Sequence, residues 1–335
     1  MTKGFDIAAT VVIDCLDALQ PGQRPLVIDE TTGALVRALG AGGAAAVAWW
    51  RGSTQLQPGT TWPAAGPFSS AFIRLPKVKE ALDFALHAAA SVVPTGAPIV
   101  IFGANDEGVR SVASHLESVA YGIETVATKR HCRVLAGVRR ATIDGLKPRL
   151  EDWRVVREIE ILGARRPWVS YPGVFARGRL DEGTALLIAH LPKVGPKTRL
   201  LDFAGGTGII MAAALQSQAA VAAADLLEID ALALAAAAEN VPGANLIAGD
   251  GLTAVDGALY DLILSNPPFH EGVTQDKSLL HRLIADSPRY LRRGSELRIV
   301  VQRHIAAAPL IEAAFKNVTI IAGNGRYQVL SARKT

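Results

Sequence analysis

The chain has 335 residues, half of them hydrophobic, with a formal net charge of +4 and a pI near 9.1. That length suits two domains of about 150 residues each. Its two cysteines, Cys15 and Cys132, lie far apart, and no Cys-x-x-Cys or His-Glu-x-x-His occurs, so neither a disulfide framework nor a zinc site is suggested and a reducing cytoplasm fits.

In chain order, residues 1–20 read as an amphipathic helix. Asp6, Asp14 and Asp17 within this apolar stretch argue against a signal peptide. Pro25–Asp29 is a short strand ending in an acid, Gly33–Leu39 a helix and Ala44–Trp50 a second strand. A Pro/Gly/Ser-rich stretch, Gly52–Ser70, follows. Ala71–Leu75 is a strand, Val78–Val93 a helix with apolar spacing, Pro98–Phe102 a strand and Asp106–Leu116 a helix. Ile123–Ala127 and Arg133–Val138 complete the first half.

The second half repeats this order. Asp181–Leu191 is a helix, Leu200–Phe203 a strand, Ile209–Gln216 a helix, Ala220–Ala224 a strand, Ile229–Asn240 a helix and Asn245–Ala248 a strand. A strand over Leu262–Leu264, a helix around Leu279–Leu291, a strand at Glu296–Val301 and a helix at Ala307–Phe315 come next. Val318–Ala322 and Tyr327–Ala332 close the chain. Such alternation predicts a mainly parallel sheet covered on both faces, and two such units suggest duplication. The uncharged run Phe203–Ala224 is long enough for a bilayer, but Gly205, Gly206, Gly208, Gln216, Ser217 and Gln218 favour strand, glycine loop, helix and strand.

Between the halves, Lys129–Arg179 holds 13 Lys and Arg against 5 Asp and Glu, a net of +8, so the rest of the chain carries −4. Such a run is either a solvated linker face or an electrostatic footprint for a phosphate backbone.

Four stretches of the second half carry chemistry. Leu200-Leu-Asp-Phe-Ala-Gly-Gly-Thr-Gly208 follows a strand and opens a helix, so its backbone admits a ligand closely and offers free N–H groups to a carboxylate. A dinucleotide fingerprint starting at Gly206 would need a third glycine where Met211 stands. Asp225 closes the next predicted strand, where an acid accepts bonds from ribose hydroxyls or merely caps the following helix. Asp250 lies between Gly249 and Gly251, as a ligand to adenine or as part of a turn. Asp261-Leu-Ile-Leu-Ser-Asn-Pro-Pro-Phe-His270 is a buried strand stopped by two prolines, which hold the atoms after it rigid. The plain reading of Asn-Pro is a strand-ending turn.

Asp202 with Ala204, Gly206 and Gly208, then Asp225, Asp250 and Asn266–Phe269, resembles in order the S-adenosylmethionine-dependent class I methyltransferases, with Ala204 replacing the first glycine. Pro172-Gly-Val-Phe-Ala-Arg-Gly-Arg-Leu-Asp-Glu-Gly-Thr184, the Asn-Pro-Pro-Phe-His stretch and Gly325-Arg-Tyr-Gln-Val-Leu330 make the likeness specific. They resemble the bacterial ribosomal RNA guanine-N2 methyltransferases, of the small-subunit methyltransferase C type and its large-subunit relatives. Ala176 replaces that group's usual serine. Leu75-Pro-Lys-Val-Lys-Glu-Ala-Leu82 and Phe102-Gly-Ala-Asn-Asp-Glu-Gly-Val-Arg110 look like the group's degenerate N-terminal domain.

The resemblance implies an α/β chain of two tandem Rossmann-like class I methyltransferase domains. Residues 1–140 form the degenerate, RNA-positioning domain, 141–180 a basic connecting segment and 181–335 the catalytic domain. It implies S-adenosylmethionine held by Asp202, Ala204, Gly206, Gly208, Asp225 and Asp250. Asn266, Pro267 and Phe269 are expected to be catalytic, and Phe175, Phe269 and His270 to meet the substrate, although an ordinary loop histidine is the plainer reading of His270. Ribosomal RNA or a ribosomal subunit is the expected partner, with no metal and no membrane, in the cytoplasm. Adenine N6 or protein glutamine could be methylated by the same motif, and a non-catalytic RNA-binding assembly factor is the reading from another class. Intact Asp202, Asp225 and Asn266 speak against that last one.

Overall fold

The computed structural model describes residues 6–53, 58–217, 221–268 and 278–335. Two compact units are present: Met1–Arg51 with Thr60–Arg154, and Gly52–Gly59 with Val155–Thr335. Phe269 and His270 lie outside the described residues.

The first unit has six strands: β1 (Pro25–Ile28), β2 (Val47–Trp49), β3 (Ser70–Arg74), β4 (Pro98–Ala104), β5 (Ala120–Lys129) and β6 (Cys132–Arg139). They are ordered β2-β1-β3-β4-β6-β5. The first four run parallel, and β6 is antiparallel to both its neighbours. Helix α1 (Ile7–Ile13) is capped by Asp6, whose side chain accepts the Ala8 N–H. A short α2 (Leu16–Leu19) follows. Alanines and valines of α1, with Leu35 and Leu39 of α3 (Ala34–Ala41), bury against Val27, Phe72, Val100 and Val134 of the sheet. Beyond them lie α4 (Lys79–Val92) and α5 (Ala113–Leu116), with a 3-10 turn at Val109–Ser111 where a longer helix is expected from the sequence.

The second unit begins with a hairpin, β7 (Val155–Ile161) and β8 (Ala164–Ser170), inside the stretch expected to be only a connection. Leu162 and Gly163 turn it, both at positive φ (49° and 78°). A two-residue turn of that type is commonly signalled by Asn-Gly or Asp-Gly, so Leu-Gly conceals it in the sequence. Next come α6 (Glu182–Ile188), β9 (Arg199–Phe203), α7 (Ile209–Ser217), β10 (Ala223–Glu228), α8 (Ala231–Asn240), β11 (Asn245–Ala248) and β12 (Tyr260–Ser265). Then follow α9 (Ser278–Tyr290), β13 (Leu291–Gln302), α10 (Ala307–Phe315), β14 (Thr319–Gly323) and β15 (Tyr327–Arg333).

The seven-stranded sheet is ordered β11-β10-β9-β12-β13-β15-β14, parallel except for β15, which runs against both neighbours. Successive residues point to opposite faces, so Leu200, Leu226, Leu262 and Leu264 pack beneath α6, α7 and α8. Leu201, Leu227, Ile263 and Leu297 pack beneath α9 and α10. Burial on both faces explains why these strands read as continuous apolar runs. This is the class I methyltransferase fold, with the reversed final strand pair.

Candidate active site

Strands β9 and β12 are neighbours at the centre of the sheet, and the chain leaves them toward opposite sides. A crevice at such a switch point, beyond the carboxyl ends of the strands, is where open α/β sheets bind ligands. Four strand ends meet there: the 204–208 loop after β9, Glu228 on β10, Gly249–Gly251 after β11 and Asn266 after β12.

The 204–208 loop is built by close approach. Ala204 has φ +53°, in the left-handed region, which costs a non-glycine residue about 1–2 kcal/mol. A Cβ on Gly205 would lie 2.6 Å from Leu226 Cγ, and one on Gly208 2.7 Å from Val241 Cγ2. At Gly206, φ is +56° and nothing lies within 4 Å of the Cβ position, so its outer side is open to a ligand. Asp202 is completely buried beneath the loop. One carboxylate oxygen accepts the Met211 N–H at 3.1 Å, and Oδ1 has no partner among the described residues. Burial pushes its pKa up to about 8, with the nearby Glu228 adding to the shift.

The direction of that shift has a consequence for stability. A carboxyl that ionises near pH 8 when folded and near 3.8 when unfolded favours the native state fully below the lower value. That advantage disappears as pH rises toward 8. The melting-temperature difference between Asp202→Asn and the parent protein should therefore grow in favour of the variant between pH 4 and pH 8. A difference independent of pH would show that Asp202 does not ionise in this range.

The expectation that Asp225 ends its strand requires correction. Strand β10 does not stop at 224 but runs to Glu228, because Leu226 and Leu227 continue the buried run. Asp225 lies toward the opposite end of the sheet. It accepts the Tyr260 hydroxyl at 2.8 Å and the Asn245 amide at 3.0 Å, and Arg199 is 3.9 Å away. The acid at the carboxyl end is Glu228, buried, accepting N–H bonds from Gly206 (2.8 Å), Ile229 (2.8 Å) and Asp230 (3.0 Å). Desolvation raises its pKa. Glu228 ties the glycine loop to the start of α8, which Asp230 caps.

Asp250 does lie beyond β11, where its carboxylate accepts the Arg282 guanidinium at 2.8 Å.

Asn266 follows β12, anchored by Ser265, whose hydroxyl donates to the Phe203 carbonyl at 2.7 Å. The Asn266 amide nitrogen donates to Thr184 Oγ1 at 2.9 Å and lies 3.4 Å from each oxygen of Asp181. Asp181 also caps α6 by accepting the Gly183 and Thr184 N–H groups. Asp181 and Thr184 stand at the end of the 172–184 stretch, but nothing local in the sequence marks either for a role at Asn266. Pro267 is buried directly after.

Phe175 is 61% exposed at the start of a strained turn, with Ala176, Arg177 and Gly178 all at positive φ. The turn is held by Arg157, which donates to the Arg177 carbonyl at 2.7 Å. The hairpin beneath is fastened to the glycine loop by Trp168, whose indole N–H donates to Thr207 Oγ1 at 2.9 Å. Asn240 bridges Val169 and the Thr207 carbonyl.

The basic junction divides by role. Arg139 donates to the carbonyls of Ala90 and Arg140, and Arg140 to those of Glu117 and Ala120, so both close backbone ends in the first unit. Arg165 lies 3.6 Å from Glu160, and Arg166 reaches the Gln216 side chain. Val155, Val156 and Leu162 are exposed on the same hairpin.

Among the described residues, the first unit shows no equivalent site. After β1, the position of the glycine loop is taken by Glu30, fully buried, whose carboxylate accepts the Thr32 and Leu35 N–H groups at 2.8 and 3.2 Å. At the end of β3, Arg74 is locked by Asp6 at 2.8 Å and Glu107 at 2.6 Å. Among the described residues, no group of three or more His, Cys, Asp or Glu could hold a metal ion, and no helix is long and apolar enough to cross a membrane.

Comparisons with known proteins speak to the family and the fold. The family "Methyltransferase small domain" matches residues 166–331, and "Methyltransferase small domain N-terminal" matches 44–154. The chain is 36% identical over 275 residues to the ribosomal RNA small subunit methyltransferase C of Ectopseudomonas mendocina, covering 80% of each. It is 32% identical over 276 residues to that of Shewanella loihica, covering 81% of this chain and 79% of the relative. Among solved structures, a T. thermophilus 16S rRNA N2 methyltransferase in complex with AdoMet and guanosine superposes with a TM-score of 0.86, over 100% of this chain and 93% of that one. At 20% identity that likeness speaks for the fold. The sheet order, the crevice and the two relatives above 30% identity lead to one assignment: the chain belongs to the ribosomal RNA small subunit methyltransferase C family, a group of S-adenosylmethionine-dependent enzymes.

Proposed function

We propose that this chain transfers a methyl group from S-adenosylmethionine to the exocyclic N2 of a guanine in small-subunit ribosomal RNA, in the cytoplasm. The observation that carries the reading is the Asn266 amide, held by its nitrogen at the end of β12 beside an open glycine loop.

The residues present fit the cofactor. The open side of Gly206, the unpartnered Asp202 Oδ1 and Glu228 at the end of β10 are the features such a ligand needs. In our assignment Glu228, not Asp225, takes the hydroxyl-binding role, with Asp202, Ala204, Gly206 and Gly208 forming the loop and Asp250 beyond the third strand. When bound, S-adenosylmethionine supplies an electrophilic methyl group on a sulfonium.

A guanine amine is a weak nucleophile because its lone pair is delocalised into the ring. The Asn266 side-chain oxygen and the Pro267 carbonyl are acceptors for its two N–H bonds. Accepting both favours a pyramidal nitrogen with its lone pair directed out of the ring plane. Positioning and oriented dipoles then supply the rate enhancement. Phe269 supplies the aromatic ring of the motif, and Phe175, which is exposed, supplies another ring suited to stacking on a base.

Nucleoside mass spectrometry tests this reading. Purified small subunits and naked ribosomal RNA, each from cells lacking the protein, should gain N2-methylguanosine on incubation with enzyme and cofactor. N6-methyladenosine, or label found only in protein, would assign a different acceptor to the same Asn-Pro-Pro-Phe loop.

A further inference from the structure

We infer that Thr184 and Asp181 are positioning residues that fix which face of the Asn266 amide meets the substrate. This rests on the role proposed for Asn266. An amide can turn either its oxygen or its nitrogen toward a reactant, and the two choices select opposite partners. Here the neighbours decide. Asp181 is an acceptor only, and its Oδ1 already takes the Gly183 and Thr184 N–H groups at 3.0 and 3.2 Å. The amide edge 3.4 Å from both its oxygens must therefore be the NH2. Thr184 Oγ1, buried and 2.9 Å away, takes the shorter of these contacts. Both amide hydrogens are engaged on this side, and Oδ1 is directed away as an acceptor. The carboxylate also draws positive charge toward the NH2, which increases electron density on Oδ1 and strengthens it as an acceptor.

The support behind these two residues is closely packed. Gly183 lies between them, and a Cβ there would stand 3.0 Å from the Tyr327 ring. Asn324 donates to Glu182 Oε1 at 3.0 Å. The first turn of α6 is thus pressed into register by the β14–β15 turn and the start of β15. That gives a purpose to the 325–330 stretch, which is remote in sequence from the catalytic loop. A site that presents only an acceptor favours a nucleophile bearing N–H bonds and opposes a ring carbonyl.

The test is a double-mutant cycle read by single-turnover methyl transfer to small subunits from cells lacking the protein. Thr184→Val removes the acceptor at nearly constant volume and should slow transfer by about tenfold or more, as loss of orientation does. Cofactor affinity, measured by calorimetry, should stay within about twofold of the parent. Thr184→Ser keeps the hydroxyl and should restore most of the rate. In an Asn266→Ala background, Thr184→Val should have no further effect, because its action passes through the missing amide. An additive loss in that background, an unchanged rate for Thr184→Val alone, or an equal fall in cofactor affinity would overturn the inference. Should Thr184→Val fail to fold, Asp181→Asn carries the same test: it still caps α6 but sets one amide nitrogen against another. Full activity of Asn266→Ala would instead remove the catalytic assignment itself, a result distinct from failure of the cycle.

Discussion

Asn266→Ala is expected to lower the rate constant for methyl transfer by about a hundredfold or more, in line with loss of one oriented hydrogen-bonding group in an active site. Cofactor affinity should be nearly unchanged, because Asp202 and Glu228 sit on β9 and β10 and Gly206 in the loop after β9. The fold should survive, since β12 is anchored one residue earlier by Ser265 and runs between β9 and β13. The stability cost is confined to Thr184 Oγ1 and Asp181 losing a donor, and Asp181 keeps the Gly183 and Thr184 N–H groups. Single-turnover kinetics, calorimetry and thermal melting on one protein preparation separate these effects. A fall in activity matched by a fall in melting temperature would make Asn266 a strand terminator and nothing more.

The second large effect concerns the two acids of β10. Glu228→Ala should weaken S-adenosylmethionine binding by roughly tenfold to a hundredfold, the loss of a charge-assisted acceptor at about 1.5–3 kcal/mol. Part of that loss comes through the loop, because the Gly206, Ile229 and Asp230 N–H groups lose their common acceptor. Glu228→Gln, which keeps one oxygen, should fall between the two. Asp225→Ala should behave in the opposite way. It leaves the buried Tyr260 hydroxyl and the Asn245 amide without their partner, so it should destabilise the protein by about 1–3 kcal/mol. Its cofactor affinity should be close to that of the parent. The reverse pattern in calorimetry and denaturant melts would return the hydroxyl-binding role to Asp225.

The contrast between these two acids shows where sequence reading stops. The loop after β9 and the strand before Asn266 announce themselves through glycines, prolines and an apolar run, and helix α10 and strand β11 fall where the periodicity puts them. Asp225 misleads because a charge inside an alanine-rich run looks like the end of a strand. What keeps it inside is Tyr260 and Asn245, residues 35 and 20 positions away that no local pattern reveals. Glu228 was hidden for the complementary reason, since an acid three residues before a helix reads as part of that helix's first turn. The charge of the β7–β8 hairpin hides it, because a basic run reads as a solvated linker face or a phosphate footprint rather than as strands. Its inward side is nonetheless apolar, with Trp168, Ile159 and Ile161 buried. Thr184 and Asp181 stand 82 and 85 residues from Asn266 and become visible only in three dimensions.

The second unit is not continuous along the chain. Gly52–Gly59 leaves the first half between β2 and β3 and belongs to the second unit. There Ser53 donates its N–H to the Ile229 carbonyl at 2.7 Å, and Gly52 bridges Asp230. Ile229 and Asp230 are two of the three residues whose N–H groups Glu228 accepts. The peptide beside that acid is therefore gripped from both sides, by a carboxylate of its own strand and by a piece of chain some 175 residues upstream. A ribosome making this protein releases the strap long before the strands that receive it. The start of α8 in the cofactor half is thus completed by a segment that the sequence places between two strands of the first half.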